Sequence, residues 1–193
     1  MSAWDIAKQY HQYSKHSYQR SAPSPGYMDW VNQPNPFRHY DGTEIIKLQK
    51  VSLNEGPLFH EALQAKNNLP FTLNFATLSQ VFFDSLAISA WKSFQGSKWA
   101  LRVKPSSGNL HPTEGYLICG PIKGVSSSPS VSHYCPKTHG LEMRTTFSNQ
   151  TWEQMGSPEN TLFIGLSSIY WREAWKYGLR AFRYCHHDMG HAP

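Results

Sequence analysis

Two neighbouring residues, Lys176 and Tyr177, place a cation beside a phenol. Their ordinary pKa values are about 10.4 and 10, so either group could act as an acid or base only if its surroundings shift its pKa towards neutrality. Adjacent side chains on a helix point about 100° apart, so both could border one cavity. A solvated basic face with a tyrosine covering the core has the same pattern. The spacing alone leaves both interpretations open.

The segment 102–112, with the sequence RVKPSSGNLHP, is a loop rich in small and polar residues. Its serine hydroxyls, its asparagine amide and the backbone amides beside its glycine can donate hydrogen bonds to anionic oxygens and ring carbonyls. Arg102 and Lys104 add positive charge at its start. A phosphorylated planar cofactor needs such groups, but an ordinary turn has the same composition. A cofactor loop and a plain turn both remain open.

Histidines near the carboxyl end have the spacing of metal ligands. His187 and His191 are four residues apart and could share an ion on one helix face, with Cys135 and His139 as remote further ligands for zinc. However, no glutamate follows His187 as a hydrolytic zinc helix requires, and the sequence has no Cys-x-x-Cys pair. We therefore predict no metal site and expect these histidines to cap the helix or form hydrogen bonds. Cys185 lies among apolar positions and is expected in the core.

Hydrophobic periodicity predicts the helices that must position these residues. A long helix beginning near Tyr170 is expected to carry one apolar stripe and one basic stripe. The apolar stripe comprises Trp171, Ala174, Trp175, Gly178, Phe182, Cys185 and Met189, and the basic stripe comprises Arg172, Lys176, Arg180, Arg183 and His187. A second helix, apolar over most of its girth, is predicted over 77–92. The segment 98–111 is expected to be a loop.

Shorter elements are predicted from local signals. Ser2 and Asp5 have the spacing of a capping box for a helix that reaches about residue 13. Prolines make 21–37 extended, and its aromatic residues favour an ordered arm because they are costly to expose. Strands are predicted over 44–49, 116–119 and 162–166, the last of them buried, with a hairpin around a loop at 136–140. An N-terminal arm over 1–42 followed by one domain over 43–193 is the expected organisation.

The composition is that of a globular protein with a core. Of the 193 residues, 39% are hydrophobic and 14% are aromatic, and the formal net charge is +5. No apolar run is long enough to cross a membrane, and Asp5 and Lys8 interrupt any secretion signal. Three widely spaced cysteines favour reduced thiols and a cytoplasmic location. The basic residues are dispersed, so the charge suits a small anionic ligand better than a nucleic acid.

Two segments resemble the nitroreductase-like SagB/ThcOx family of flavin-dependent dehydrogenases. They are 99–118, which contains PSSGNLHP, and 170–191, which contains REAWKYGLRAFRYCHHDMGH. A looser likeness covers 10–17 and 29–38, the latter with the sequence DWVNQPNPFR. Together the segments span nearly the whole chain. The family's chains continue beyond the Gly-His of the last helix, so the resemblance also implies that the C-terminal part is missing here.

The resemblance implies an α+β fold, with a mixed sheet flanked by helices, usually in an intertwined homodimer with FMN at the subunit boundary. It implies an FMN-dependent oxidoreductase that moves hydride between a small substrate and the flavin. Family members oxidise thiazolines and oxazolines, and relatives reduce nitroaromatics with NAD(P)H. The alternative is a flavin-free interaction or structural module of the same fold, and nucleic-acid binding is a third candidate.

The resemblance also implies roles for individual residues. Lys176 and Tyr177 match the family's Lys-Tyr pair, which removes a substrate proton. A cation beside a phenol favours the phenolate, which is the base. The positions that the resemblance assigns to cofactor binding are Arg102, Pro105, Ser106, Ser107, Gly108, Asn109 and Arg180. Among these, Arg102 is expected at the phosphate, and the two serines and Asn109 are expected at the flavin.

Overall fold

Helices and strands alternate along the computed structural model, which describes residues 1–49, 58–64, 72–157 and 161–192. The helices are α1 (Ala3–Ser14), α2 (Phe59–Leu63), α3 (Phe75–Leu86), α4 (Asn149–Gln154), α5 (Tyr170–Tyr177) and α6 (Ala181–Gly190). The strands are β1 (Ile45–Lys47), β2 (Ile88–Phe94), β3 (Ser97–Arg102), β4 (Thr113–Cys119), β5 (Ser130–Cys135), β6 (Gly140–Thr146) and β7 (Leu162–Ser168). Single 3-10 turns cover Trp30–Asn32, Ser107–Asn109 and Gly178–Arg180. Within the described ranges, every helix is too short or too polar to cross a membrane.

Five strands form one sheet in the order β1-β6-β5-β4-β7, and β2 and β3 form a separate hairpin. β1 pairs with β6, β6 with β5, and β5 with β4, and each of these pairs is antiparallel. Cys135 pairs with Gly140 across the hairpin of β5 and β6. The predicted hairpin, the strands within 44–49 and 116–119, and the α+β class are therefore confirmed.

The chain divides into two compact units. The first unit comprises Met1–His39, Ile88–Gly115 and Leu166–Pro193, and the second comprises Tyr40–Ala87 and Tyr116–Gly165. The core of the second unit lies between α3 and the sheet, where the rings of Phe82 and Tyr134 stack with centroids 4.7 Å apart. Leu78, Leu117 and Leu141 are fully buried in the same unit. The domain boundary predicted at residue 42 stays a prediction.

The N-terminal segment packs within the first unit. The predicted capping box of α1 is confirmed, with the Ser2 and Asp5 side chains each bonded to the other's backbone amide. Tyr10 Oη donates to the Leu179 carbonyl at 3.0 Å, and Trp175 Nε1 donates to the Asp29 carbonyl at 2.6 Å. These bonds join the segment to α5 and to the turn that follows it. Tyr27 and Trp30, which were expected to be covered, are 79% and 67% exposed, so that expectation is wrong, and the arm over 1–42 stays a prediction.

The helix predicted over 77–92 is wrong in its second half. α3 ends at Leu86, and β2 begins two residues later. β2 turns into β3 through Gln95 and Gly96, whose φ values of 47° and 80° are typical of a two-residue hairpin turn. Residues 98–102, the first part of the expected loop, belong to β3 instead. Gly96 is the local turn signal, and the helical spacing of the apolar residues before it hid that signal.

The strand predicted over 162–166 is present as β7, but the expectation that it is buried is wrong. Phe163 and Ile164 are 41% and 40% exposed. A continuous apolar run does not by itself show that both faces of a strand are covered.

The last predicted helix is present in two pieces, and its stripes face differently from the prediction. It breaks at Gly178, where φ is 53°. Trp171 and Phe182 of the predicted apolar stripe are each 53% exposed, whereas Arg172 and Glu173 are buried. Periodicity could not show this, because the groups that accompany the buried charges lie far away in the sequence.

Candidate functional site

The predicted loop and the Lys-Tyr pair meet at Gly108. A Cβ atom at this position would lie 2.8 Å from Tyr177 Oη and 3.0 Å from Lys176 Nζ, so a larger residue would force these side-chain ends to shift. The φ of Gly108 is 65°, which also favours glycine. Within the described part of the chain, neither Lys176 Nζ nor Tyr177 Oη has a hydrogen-bond partner. Two polar side-chain ends are therefore available beside an exposed stretch of backbone.

The carboxylate of Asp188 on α6 accepts hydrogen bonds from the loop. Ser106 Oγ donates to Asp188 Oδ2 at 2.6 Å, and the backbone amide of Ser107 donates to Asp188 Oδ1 at 3.1 Å. The Ser106 hydroxyl also accepts from the His111 amide at 2.7 Å. Sequence reasoning missed Asp188, whose only local signal is an acidic residue beside a buried helix face. Two donor groups expected to face a flavin are engaged by this carboxylate.

A buried ion pair joins the segment after the loop to α5. Arg172 Nη1 donates to Glu114 Oε1 at 2.6 Å and to the His111 carbonyl at 2.5 Å. Lys104, also buried, donates from Nζ to the Thr113 carbonyl at 3.2 Å. Breaking such a pair leaves an uncompensated buried charge, which is strongly destabilising. The pair accounts for the burial of Arg172, a member of the predicted basic stripe.

Burial changes the protonation of two basic groups near this ion pair. It lowers the pKa of Lys104 to about 7, with the positive charge of Arg102 adding to the effect and Asp188 and Glu114 opposing it. Burial also lowers the pKa of His111 to about 3, again with help from Arg102. His111 is consequently a neutral imidazole at neutral pH, and its Nε2 lies 2.9 Å from Asn109 Oδ1.

Glu173 on α5 is the second residue that sequence reasoning missed. Its side chain is fully buried, and neither carboxyl oxygen has a hydrogen-bond partner among the described residues. Burial raises its pKa to about 8, with Asp188 adding to the effect and Lys176 and Lys104 opposing it. The carboxyl is therefore mostly protonated at neutral pH. It precedes Tyr177 by four residues, which puts the two side chains on one helix face.

The expectation that a neighbouring cation lowers the pKa of Tyr177 is wrong. Burial raises this pKa, Glu173 and Tyr184 raise it further, and Arg180 opposes them. The Arg180 guanidinium lies 5.3 Å from the centroid of the Tyr177 ring, but its charge does not offset the loss of solvent. At neutral pH Tyr177 is a phenol and a potential proton donor.

The two arginines predicted to bind the cofactor are buried and engaged with the N-terminal segment. Arg102 Nη2 donates to the Pro36 carbonyl, and its guanidinium lies 5.4 Å from the Phe37 ring centroid. Arg180 Nη1 donates to His16 Nε2 at 2.8 Å. Each side chain thus fixes the N-terminal segment within the first unit. Their assignment to an anionic ligand stays a prediction.

An aromatic cleft of about 380 Å³ opens next to Asn109. Its walls include Trp91 and Trp99 of the β2–β3 hairpin and Phe37 of the N-terminal segment. Lys98 Nζ, which also lines the cleft, lies 4.8 Å from the Trp91 ring centroid. Rings around a cleft with a cation at its edge suit a planar, electron-poor or anionic ligand. Pro105 is exposed, on the loop that leads to Asn109.

The remaining titratable candidates lie in α6 and just after it. Cys185 is 1% exposed, and burial raises its pKa to about 12, which confirms it as a core residue. His187 and His191 are exposed, and no group of three potential metal ligands among the described residues includes them.

Comparisons with known proteins show the fold. No protein-family model matches the sequence, and no curated protein matches it significantly. Among solved structures, it is similar to a provisionally assigned nitroreductase from Anabaena variabilis, with a TM-score of 0.71 and 26% identity over 97% of this chain and 36% of that chain. It also matches, with a TM-score of 0.47 and 20% identity, a chain of the E. coli microcin synthetase McbBCD complex with truncated pro-MccB17 bound, over 100% of this chain and 65% of that chain. The protein therefore has a nitroreductase-like fold and spans about a third of the nitroreductase chain.

Proposed function

We propose that this protein is an FMN-dependent oxidoreductase, in which hydride passes between a small substrate and the flavin. The observation that supports this most strongly is the meeting of Lys176 and Tyr177 at Gly108, on a nitroreductase-like fold. A cation and a phenol that no described residue engages in a hydrogen bond are groups that can hold or move a substrate proton. The chain spans about a third of the length of the nitroreductase, so we also propose, rather than infer from the likeness, that it carries out the whole reaction.

The residues around Gly108 fit the ring of FMN better than its phosphate. The Lys176 ammonium and the Tyr177 hydroxyl border the exposed backbone of Gly108, and Asn109 lines the adjoining aromatic cleft. Gly108 itself leaves the room that a Cβ atom would fill. In contrast, Arg102 and Arg180 are engaged with the N-terminal segment, so no residue is assigned here to the phosphate.

Lys176 and Tyr177 then have separate tasks in the reaction. FMN, when bound, supplies the acceptance and donation of hydride. The Tyr177 hydroxyl exchanges a proton with the substrate. Lys176 Nζ lies 5.7 Å from the Tyr177 ring centroid, so its charge stabilises the phenolate that forms when this proton leaves. Arg180, at 5.3 Å from the same centroid, acts in the same direction.

The proposal includes three further features taken from the family resemblance. We propose a homodimer as the working assembly, a cytoplasmic location, and NAD(P)H as the electron donor where the substrate is reduced. The SagB-type oxidation of a thiazoline or oxazoline is the corresponding reaction in the other direction.

The test is flavin binding by the purified protein, followed by one matched pair of variants. We expect FMN fluorescence to be quenched on titration. Tyr177→Phe should still bind FMN, but its turnover should fall by about a hundredfold, because a positioned acid or base contributes about that much. Tyr170→Phe, a more exposed tyrosine at the start of the same helix, should leave both unchanged. A folded protein that stays colourless and leaves FMN fluorescence unchanged would contradict the proposal.

A flavin-free interaction module is the second candidate function. The observation that favours it is the engagement of the Ser106 hydroxyl and the Ser107 amide with Asp188, which completes the loop without any ligand. Flavin titration separates the two candidates, because the module requires no change in FMN fluorescence.

A further inference from the structure

The carboxyl of Glu173 is fully buried and has no hydrogen-bond partner among the residues that the structure describes. Both of its oxygens are shielded from solvent, and neither accepts a hydrogen bond from any described residue. By comparison, Glu114 in the same unit is buried in an ion pair with Arg172 at 2.6 Å. Moving an unpaired carboxylate out of water is far more costly than burying a neutral carboxyl. The surroundings therefore hold Glu173 in its neutral form, with a proton that it can give away.

The position of Glu173 connects it to Tyr177. Residues four apart on a helix have Cβ atoms about 6 Å apart on the same face, so the carboxyl and the phenol are neighbours along α5. Tyr177 Oη lies at the exposed glycine of the loop, whereas Glu173 is fully buried. Glu173 is near enough to affect the pKa of Tyr177, but among the described residues neither group hydrogen-bonds to the other, so a proton passes between them only through an intervening water.

The charged and titratable groups around Glu173 come from three elements. Lys104 lies in the loop after β3, Asp188 lies on α6, and Lys176 shares α5. Glu173 in turn helps to raise the pKa of the Cys185 thiol on α6. Asp188 is held by Ser106 and Ser107, so it keeps a negative charge near Glu173 that disfavours a second one. The two lysines favour its ionisation, which makes release of the proton attainable rather than prohibitive.

We propose that Glu173 is the proton reserve of this site, which returns a proton to Tyr177 after Tyr177 has given its own to a substrate reduced by hydride. The inference rests on the proposed oxidoreductase function and fixes its direction. A site whose carboxyl and phenol both carry protons is prepared to supply them, so the substrate is an electron acceptor that needs a proton with each hydride. The base role for Tyr177 would need the opposite protonation states.

The proton transfers balance in three steps. The hydride, with its two electrons, would be supplied by bound reduced FMN, and the substrate would then carry a basic atom. The O–H bond of Tyr177 breaks, and its proton bonds to that atom. The O–H bond of Glu173 then breaks, and its proton passes through an intervening water to restore the phenol. When the product leaves, a proton from solvent enters at Tyr177 and returns along the same path to the Glu173 carboxylate. Glu173 does not touch the substrate, and it acts through Tyr177 as a positioning residue.

Infrared spectroscopy of the full-length protein tests the reserve without any flavin. We expect the carbonyl stretch of a protonated carboxyl at pH 6, its loss as the pH rises through about 8, and its absence in Glu173→Gln. The exposed Glu153→Gln should keep the band. Labelling with 13C-glutamate assigns the band in the unmodified protein, so the test stands even if the variant folds poorly. The absence of a glutamate band at pH 6 would overturn the proposal.

Turnover of the flavin-loaded protein tests the connection to Tyr177. Glu173→Gln should lower the rate constant for substrate reduction by about tenfold to a hundredfold with little change in KM, and should remove the alkaline limb of the pH profile near pH 8. An unchanged pH profile would overturn the relay. If FMN fails to bind while the infrared band behaves as expected, the proposed function fails. The converse result, bound FMN without the band, rejects only the reserve.

Discussion

The protonated carboxyl of Glu173 has a consequence for stability that can be measured without knowing any ligand. Its pKa rises from 4.5 to about 8 on folding. Between these pH values the folded protein keeps a proton that the unfolded chain releases. This contribution to the free energy of unfolding is complete below pH 4.5 and is lost as the pH rises through about 8. Glu173→Gln removes the titration and keeps the size of the side chain.

The magnitude follows from the pKa shift. A change of about 3.5 units at about 1.4 kcal/mol each sets an upper limit of about 5 kcal/mol. Relaxation and water entry reduce the cost of a buried charge, so we expect about 3 kcal/mol between pH 5 and pH 9. Glu173→Gln should therefore gain about 3 kcal/mol relative to the unmodified protein over this interval. A buried amide without a partner lowers the stability of the variant at every pH, and this offset cancels in the comparison.

Urea unfolding of both proteins at pH 5 and pH 9 provides the measurement. His111 and Lys104 have lowered pKa values, so each makes the protein more stable as pH rises, opposite to Glu173. The His111 contribution is common to the two proteins and cancels in their difference, and the Lys104 contribution cancels apart from its attraction to the Glu173 carboxylate. Glu153→Gln, an exposed substitution, should show no such pH dependence. If the difference between Glu173→Gln and the unmodified protein is the same at both pH values, the buried carboxyl is ionised and the reasoning is refuted.

Two further predictions concern the same unit. Gly108→Ala should lower the free energy of unfolding by about 2 kcal/mol, because the new methyl group meets Tyr177 Oη at 2.8 Å and φ is positive. Gly26→Ala, with positive φ but open space around it, should lose only about 1 kcal/mol, and equal losses in urea unfolding would contradict the close approach. Lys104→Met should stabilise the protein by about 2 kcal/mol more at pH 6 than at pH 9, because burial of the charged lysine costs most below its lowered pKa. A gain that does not depend on pH would mean that Lys104 stays charged.

Local signals were sufficient for much of the fold. The capping box of Ser2 and Asp5 involves atoms three residues apart, and the hairpin of β5 and β6 follows from two strands and a short turn. The segment 77–92 failed because its apolar residues satisfy a helical period on both sides of Leu86. Only the turn at Gln95 and Gly96 distinguishes the strand, and it lies beyond the periodic stretch. Periodicity registers which residues are apolar, but not where the chain reverses.

The candidate site likewise contains residues that the sequence identified and residues that it did not. The family resemblance, rather than spacing, singled out the Lys-Tyr pair and the loop, and the structure brings them together at Gly108. The roles of these residues stay predictions. Glu173 and Asp188 were missed because a charged residue on a helix is normally taken to face solvent. Their burial depends on the loop after β3, about 70 to 80 residues earlier, and such distant neighbours leave no local mark in the sequence.

The carboxylate of Asp188 restricts which anions can bind to the loop. The Asp188 carboxylate already accepts hydrogen bonds from the Ser106 hydroxyl and the Ser107 amide. An anion that binds to these two donors therefore has to displace this carboxylate first. The exchange yields little net free energy, since one charged acceptor replaces another. Small anions such as chloride or acetate are therefore expected to bind this loop weakly, despite the net positive charge of the chain. Displacing Asp188 requires a ligand that also makes contacts elsewhere, for instance with a flat ring in the cleft lined by Trp91 and Trp99.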